Sequence, residues 1–128
     1  MWSVMSAFSR PIVPMLRVEE ADGSVGFYTE ILGFEIAERH EEDGRLVWAR
    51  LVSGPAELML SERPGEVQTS PGEGAVLYLY PSDIAALHAS LLELEVTVGP
   101  LRKTEYGLTE FELIDPDGYE LWFGQPAG

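Results

Sequence analysis

A turn near the C-terminus and the strand that follows it constrain the fold of this chain more than any other stretch. The turn is Asp115-Pro116-Asp117-Gly118 and the strand is residues 119–123, YELWF. Pro116 has the φ angle that the second position of a type I turn needs, and Gly118 can adopt the positive φ that closes a bulged hairpin. The preceding residues 108–114 alternate loosely between apolar and polar side chains, which is typical of a strand. This pattern predicts two antiparallel strands joined by the turn.

The chain also contains a weak internal repeat. Residues 56–60 (AELML) match residues 119–123 (YELWF) at a spacing of 63, and residues 31–36 (ILGFEI) match residues 91–96 (LLELEV) at a spacing of 60. Two matches in the same order at nearly the same offset indicate that one unit of about half the chain is used twice.

Hydrophobic periodicity predicts the same order of elements in each half, namely a strand, a helix and three further strands. In the first half these are residues 11–18, a helix capped by Asp22 and ended by Gly33, and strands at 34–39, 46–52 and 57–60. In the second half they are residues 75–80, a helix opening at Ser82-Asp83, and strands at 95–98, 108–114 and 119–123. Residues 61–74, rich in Pro and Gly, are predicted to link the halves.

The composition excludes several classes of function. The 128 residues carry 22 acidic and 8 basic side chains, a net charge of −14, which repels nucleic acid and anionic lipid. The same charge also serves solubility alone. The chain has no cysteine, so disulfides, thiolate metal sites and cysteine nucleophiles are excluded. The N-terminal residues lack the pattern of a secretory signal and no segment has the length of a membrane span, so we expect a cytoplasmic protein with no nucleic-acid or membrane partner.

Four segments together resemble the vicinal oxygen chelate (VOC) superfamily of glyoxalases, bleomycin resistance proteins and extradiol dioxygenases. They are residues 14–18 (PMLRV), residues 27–34 (FYTEILGF), the helix pattern after Ser82-Asp83, and residues 111–119 (FELIDPDGY). The resemblance implies an α+β fold in which two βαβββ modules form a curled mixed sheet around a cup. It implies one VOC domain over residues 1–128, with modules at about 9–62 and 73–126, and a homodimer.

Enzymes of this superfamily typically hold a divalent metal with His, Gln or Glu on the first and last strand of each module. The matching positions in this sequence are all apolar, namely Val13, Met59, Val76 and Trp122. None is a usual ligand for Mg, Mn, Fe or Zn, so the sequence predicts no metal, no cofactor and no catalytic residue. We interpret His40 and His88 as surface or edge histidines.

The resemblance places a cup between the strands, and we expect aromatic and large apolar side chains to line it. Alternation along the strands turns Met59 and Trp122 inward, and Met15, Tyr78 and Tyr80 share the inward parity of Val13 and Val76. For Trp48, Arg50, Phe111 and Glu112 the sequence leaves open which of each neighbouring pair points inward. We also expect Arg17 and Arg50 to pair with Glu57, Glu112 or Glu120. The predicted ligand-binding residues are Trp122, Met59, Tyr78, Tyr80, Trp48, Phe111, Met15 and Arg50.

These features favour a protein that binds and sequesters a planar or cationic, antibiotic-like small molecule without a metal. Acidic charge would attract a cationic ligand and aromatic side chains would stack on it. Two alternatives stay open at this point. One is a metal-dependent lyase or isomerase of the glyoxalase type, and the other is a non-catalytic structural dimer whose cup is filled by its own side chains.

Overall fold

The computed structural model describes residues 11–62 and 75–127, which form two βαβββ modules. The first module contains β1 (Met15–Val18), α1 (Ala21–Gly26) with a π-helical continuation (Phe27–Ile31), β2 (Glu35–Glu42), β3 (Arg45–Ser53) and β4 (Ala56–Glu62). The second contains β5 (Val76–Leu79), α2 (Ile84–Glu93), β6 (Arg102–Lys103), β7 (Leu108–Ile114) and β8 (Glu120–Pro126). In the part of the chain that the structure describes, no helix is long and apolar enough to cross a membrane.

Each module folds into its own four-stranded mixed sheet with the same topology. The strand orders are β1-β4-β3-β2 in sheet 1 and β5-β8-β7-β6 in sheet 2. The first and last strands of a module pair in parallel, with Met15 opposite Met59 and Tyr78 opposite Trp122, while the other pairs are antiparallel. The predicted α+β fold with two βαβββ modules is confirmed, as two curled sheets that do not close into a barrel.

One face of each sheet packs against a helix and forms the core. Helix α1 contacts β3 and β4, and α2 contacts β7 and β8. The buried residues on these faces are Leu16, Leu51, Leu58 and Leu60 in sheet 1, and Phe111, Leu113, Leu121 and Phe123 in sheet 2. Because side chains alternate along a strand, the polar and larger half-buried residues lie on the opposite faces. We call these helix-free surfaces the open faces.

The two helices are capped by different means. The Asp83 side chain accepts a hydrogen bond of 3.0 Å from the backbone of Ala86, as the sequence predicts for α2. The prediction that Asp22 caps α1 is wrong, because α1 already begins at Ala21. Its first N–H instead donates to the Glu62 carboxylate over 2.8 Å, so a buried acid at the end of β4 holds the start of α1.

The Asp115–Tyr119 turn joins the two modules. The Asp115 carboxylate accepts hydrogen bonds from the backbone of Asp117 and Tyr119 within the turn, and from the Tyr28 hydroxyl of the first module at 2.7 Å. Tyr119 reaches back across the same boundary, since its hydroxyl donates to the Arg17 carbonyl over 2.9 Å. Burial and the Asp115 carboxylate raise the pKa of Tyr28, while burial raises the pKa of Asp115 against the effect of its hydrogen bonds.

Several predicted boundaries differ from the structure, and three of the differences matter for the fold. Strand β1 begins at Met15 rather than at residue 11, and residues 61–62 belong to β4, while the rest of the predicted linker lies outside the described residues. Residues 95–98 are not a strand, because Glu95 has a φ of 62° and turns the chain sharply after α2. Val96 and Val98 then pack on the core without a sheet partner, which produced the misleading alternation. The second strand of this module is only β6.

We predict that Tyr28→Phe lowers the free energy of unfolding by about 2 kcal/mol, because it removes the hydroxyl that donates to the buried Asp115 carboxylate. Urea denaturation compared with the wild-type chain measures the change. Tyr80→Phe is the matched control, since the Tyr80 side chain is 75% exposed and its loss of a hydroxyl should leave stability unchanged. Equal stabilities of the two variants would contradict a structural role for the Tyr28–Asp115 bond.

Candidate functional site

The open face of sheet 2 carries an arginine enclosed by an aromatic ring and two carboxylates. The guanidinium carbon of Arg102 lies 5.4 Å from the centre of the Trp122 ring. Its Nη1 atom donates to Glu112 over 2.6 Å, and its Nη2 atom lies 3.7 Å from a Glu110 oxygen. The bond to Glu112 raises the pKa of Arg102, so this side chain stays charged. We call Arg102, Glu110, Glu112 and Trp122 the arginine cage.

Glu110 forms the buried floor of the arginine cage. It is 2% exposed, and its two carboxylate oxygens accept hydrogen bonds from the hydroxyls of Tyr78 at 2.5 Å and Tyr106 at 3.0 Å. Partial burial and the bond to Glu110 raise the pKa of Tyr78, and the same carboxylate raises that of Tyr106. Both tyrosines therefore remain protonated donors, which is what a buried carboxylate requires.

Glycine at positions 124 and 99 leaves room for the side chains of Tyr78 and Glu112. A β-carbon at Gly124 would overlap the Tyr78 hydroxyl, and one at Gly99 would lie 2.7 Å from a carboxylate oxygen of Glu112. Tyr78 can therefore cross the backbone of β8 to reach Glu110, and the Glu112 carboxylate rests directly against residue 99. A side chain at either position would therefore displace Tyr78 or Glu112.

The open face of sheet 1 has a different arrangement of charge. Arg50 lies between two acids, with Nε 2.6 Å from Glu38 and Nη1 3.1 Å from Glu57. The hydrogen bond to Glu38 raises the pKa of Arg50, which keeps the guanidinium charged. Met15 and Met59 are cross-strand neighbours beside it. The expected pairing of Arg50 with Glu57 is confirmed, and Glu38 is a second partner that sequence reasoning missed.

Two cavities adjoin these faces. The first, of about 490 Å³, lies at one end of sheet 1 and is lined in part by Trp48, His40 and Ser61. The second, of about 580 Å³, lies between the modules at the free edge of β5, and its lining includes Tyr78, Tyr80, Phe34, Leu87 and the β3–β4 turn. Tyr78 and Tyr80 pack edge to face with ring centres 5.0 Å apart. The second cavity is therefore linked to the arginine cage only through Tyr78, which donates to Glu110, and none of the four cage residues lines it.

Most predicted ligand-binding residues share the open faces, but the prediction for Phe111 is wrong. Phe111 is fully buried on the helix side of β7, with its ring stacked 4.7 Å from Phe123. Alternation along β7 places its neighbours Glu110 and Glu112 on the open face instead. The other predicted residues, Met15, Trp48, Arg50, Met59, Tyr78, Tyr80 and Trp122, are half-buried or exposed. They divide between two sheets and do not form one cluster within the chain.

The predicted ligand-binding residues did not include Arg102, Glu110 or Tyr106. A signal for them exists in the chain, because two glutamates two positions apart on a strand must share a face and require cationic or hydroxyl partners there. Only the fold shows that β6 supplies the cation, since the predicted strand was placed at residues 95–98.

The two histidines lie outside the ion-paired clusters of Arg50 and Arg102. His40 is exposed and lies 3.6 Å from Glu42, as expected for a surface residue. His88 is half-buried rather than at the surface, because one ring nitrogen is 2.9 Å from the Gly99 carbonyl and the ring packs against Phe111.

The residues on the open faces do not fit a divalent metal. The four positions considered for ligands hold Val13, Met59, Val76 and Trp122, and the nearby carboxylates of Glu57 and Glu112 already bind arginines. Within residues 11–62 and 75–127, no group of three or more His, Asp or Glu side chains is placed to hold a metal ion. No chemical step is therefore assigned to a metal here.

Comparison with known proteins matches residues 11–123 to the family model of the Glyoxalase/Bleomycin resistance protein/Dioxygenase superfamily. No curated protein sequence matches the chain. Among solved structures, TnmS3 from Streptomyces sp. CB03234, described as an antibiotic binding protein, is 23% identical with a TM-score of 0.71, covering 94% of this chain and 99% of that one. A bleomycin resistance determinant encoded on the transposon Tn5 is 23% identical with a TM-score of 0.73, covering 92% and 98%. Lactoylglutathione lyase from Agrobacterium tumefaciens is 17% identical with a TM-score of 0.69, covering 90% and 92%.

We predict that Gly124→Ala displaces the Tyr78 hydroxyl from Glu110 and lowers the free energy of unfolding by about 1–2 kcal/mol, because a buried carboxylate loses a donor. Gly23→Ala is the matched control, since a β-carbon at Gly23 in α1 meets no atom within 4 Å. That variant should gain about 0.5–1 kcal/mol from the higher helix propensity of alanine. Urea denaturation of both variants measures the difference, and a neutral Gly124→Ala would contradict the described position of Tyr78.

Proposed function

This chain belongs to the Glyoxalase/Bleomycin resistance protein/Dioxygenase superfamily, and we propose that it binds and sequesters a planar or cationic, antibiotic-like small molecule without a metal. One observation carries the proposal. The strand positions that would hold a metal are apolar, while the same open faces present aromatic rings beside charged groups that are already neutralised by partners. Such a surface supplies stacking and charge recognition and offers no Lewis acid of its own.

The contact residues of the proposed site lie on both open faces. Sheet 2 contributes Trp122, Tyr78 and Tyr80 as flat apolar walls, and sheet 1 contributes Trp48, Met15, Met59 and the ion-paired Arg50. Aromatic rings stack on a flat ligand, and methionine side chains adapt to its outline. The net charge of −14 raises the local concentration of a cationic ligand.

We propose that the two faces come together in a homodimer. Several apolar side chains on or beside the open faces are about half exposed, among them Met15 at 49%, Val76 at 51% and Ile114 at 57%. Pairing of two chains through these faces would cover such residues and enclose a cleft between sheet 1 of one protomer and sheet 2 of its partner. A dimer would thereby hold two equivalent ligand sites.

The comparisons support the ligand class only at the level of the fold. TnmS3 and the Tn5 determinant are proteins described in terms of antibiotic binding and bleomycin resistance, and both share this fold at 23% identity. Lactoylglutathione lyase shares it as well, so the choice between binding and catalysis rests on the residues of the open faces. Cavities of about 490 and 580 Å³ lie beside Trp48 and beside Tyr78 and Tyr80, and they leave room for a ligand next to these residues. We propose that the protein acts in the cytoplasm.

We predict saturable quenching of tryptophan fluorescence when the purified protein is titrated with metal-free bleomycin or a flat cationic antibiotic in the presence of a chelator. Ligand stacking on Trp122 is the physical cause. Calorimetry should show binding retained in Trp122→Phe, which keeps an aromatic surface, and weakened about tenfold or more in Trp122→Ala. Binding that appears only after Mn²⁺ or Zn²⁺ is added, with stoichiometric metal retained, would favour the metal-dependent lyase or isomerase instead.

We predict that Val76→Asp shifts the protein from dimer to monomer, because it places a charge on the exposed edge strand β5 where the partner is proposed to pack. Leu92→Asp is the matched control, since Leu92 is 55% exposed on α2 and the change in net charge is the same. Sedimentation at equal protein concentrations measures the oligomeric state. A dimer that Leu92→Asp disrupts and Val76→Asp does not would place the interface on the helix side.

A further inference from the structure

The arginine cage has the chemistry of a binding site for a planar cation, and a side chain of the protein already occupies it. Arg102 places a flat, delocalised cation over the Trp122 ring, with its centre 5.4 Å from the ring centre. The same guanidinium contacts Glu112 at 2.6 Å and Glu110 at 3.7 Å. An aromatic face and hydrogen-bonding carboxylates are the groups that recognise a free guanidinium or amidinium.

We propose that Arg102 is an internal occupant of the ligand site and that the cationic, planar group of the ligand displaces it from Trp122, Glu110 and Glu112. The inference rests on the proposed binding function and adds to it the charge class of the ligand and an internal competitor. The contacts of Arg102 lower the affinity for a ligand, because a ligand must replace each contact that the guanidinium gives up.

The floor of the cage is held in place without Arg102. Glu110 is anchored by the hydroxyls of Tyr78 and Tyr106, one on each carboxylate oxygen. Glu112 lies against Gly99, where a β-carbon would approach its oxygen to 2.7 Å. When Arg102 leaves, the Glu110 carboxylate therefore keeps the position that a second cation needs, and Glu112 takes that cation as a partner in place of Arg102.

Arg102 also lies at the edge of a sheet, where its side chain can move away from the cage without disrupting the core. It lies in β6, which has two residues and forms the edge of sheet 2, paired with β7 only. Its side chain is 37% exposed, so its long stem can rotate and carry the guanidinium into water. The displacement needs no opening of the core.

The exchange of Arg102 for a ligand favours ligands that carry a positive charge. If a neutral ligand displaced Arg102, the carboxylates of Glu110 and Glu112 would lose their cation, and Glu110 is 2% exposed. Leaving a buried carboxylate without a cation is costly, whereas a ligand with an amidinium group restores the pairing. The cage thus admits planar cations and rejects neutral molecules of the same shape.

The test compares benzamidine with benzamide, which have nearly the same shape but differ by one positive charge. Dissociation constants are measured by NMR titration of the Trp122 indole N–H in wild-type protein, Arg102→Ala and Arg39→Ala. Arg39 is an exposed residue that pairs with Glu41, so its replacement makes the same change in net charge away from the cage. We expect Arg102→Ala to bind benzamidine about tenfold more tightly than Arg39→Ala does, a gain of about 1.4 kcal/mol, with benzamide binding unchanged.

A second variant guards against a loss of folding. Arg102→Gln keeps a hydrogen-bond donor for Glu112 and removes the charge, so it should also tighten benzamidine binding even if Arg102→Ala is unstable. The proposal is overturned if both replacements weaken benzamidine binding, which would make Arg102 a wall of the site, or if they change both probes equally or neither.

Failure of this proposal is distinguishable from failure of the proposed function. If the antibiotics bind the wild-type protein but the Arg102 replacements do not favour benzamidine, the internal competitor is overturned and the binding function stands. If no antibiotic binds while Arg102→Ala gains affinity for benzamidine, the cage is supported and the ligand class in the proposed function is wrong.

Discussion

The buried hydrogen bond between Tyr28 and Asp115 is the contact on which the relation of the two modules depends. Asp115 closes its own turn with two backbone donors and uses its remaining oxygen for a tyrosine 87 positions earlier in the chain. Both groups are buried, and burial raises the pKa of each. The turn is therefore more than a connection within sheet 2. It orients the second module relative to α1, and with it the positions of β5 and the cavity beside Tyr78 and Tyr80.

The alternation of side chains along each strand gives the two faces of each sheet a different composition. The helix-side faces bury leucine and phenylalanine and provide most of the hydrophobic stabilisation. The open faces contribute less to the core and instead carry arginines held by pairs of glutamates. Buried or half-buried ion pairs are weak evidence for stability, since desolvation offsets much of their attraction. The proposed recognition of a ligand would give them a role on both open faces, and their arrangement differs between the two sheets. In sheet 1 the arginine lies between two acids, while in sheet 2 it also covers a tryptophan.

Two glycines shape the surroundings of Trp122, which occupies one of the four apolar positions considered for metal ligands. Gly99 and Gly124 open room for Glu112 and Tyr78, and these two side chains then frame the tryptophan at a position considered for a metal ligand. A cage of this kind exchanges one cation for another, so its selectivity comes from the penalty for leaving Glu110 and Glu112 without a cation.

The sequence by itself determined the topology, because the DPDGY turn, the repeat and the alternation are local patterns that each constrain backbone geometry. It also determined that the candidate metal positions are apolar and that Met59 and Trp122 share the same place in the two modules, which the register confirms. Tertiary structure decided the rest. A strand pattern specifies two faces without saying which one meets a helix, so Phe111 was expected in the cup although it lies in the core. The alternation at 95–98 arose from two valines that pack without a sheet partner, and the true edge strand was too short to give a pattern. The arginine cage joins residues from β6, β7 and β8, and only the pairing of these strands brings their side chains together.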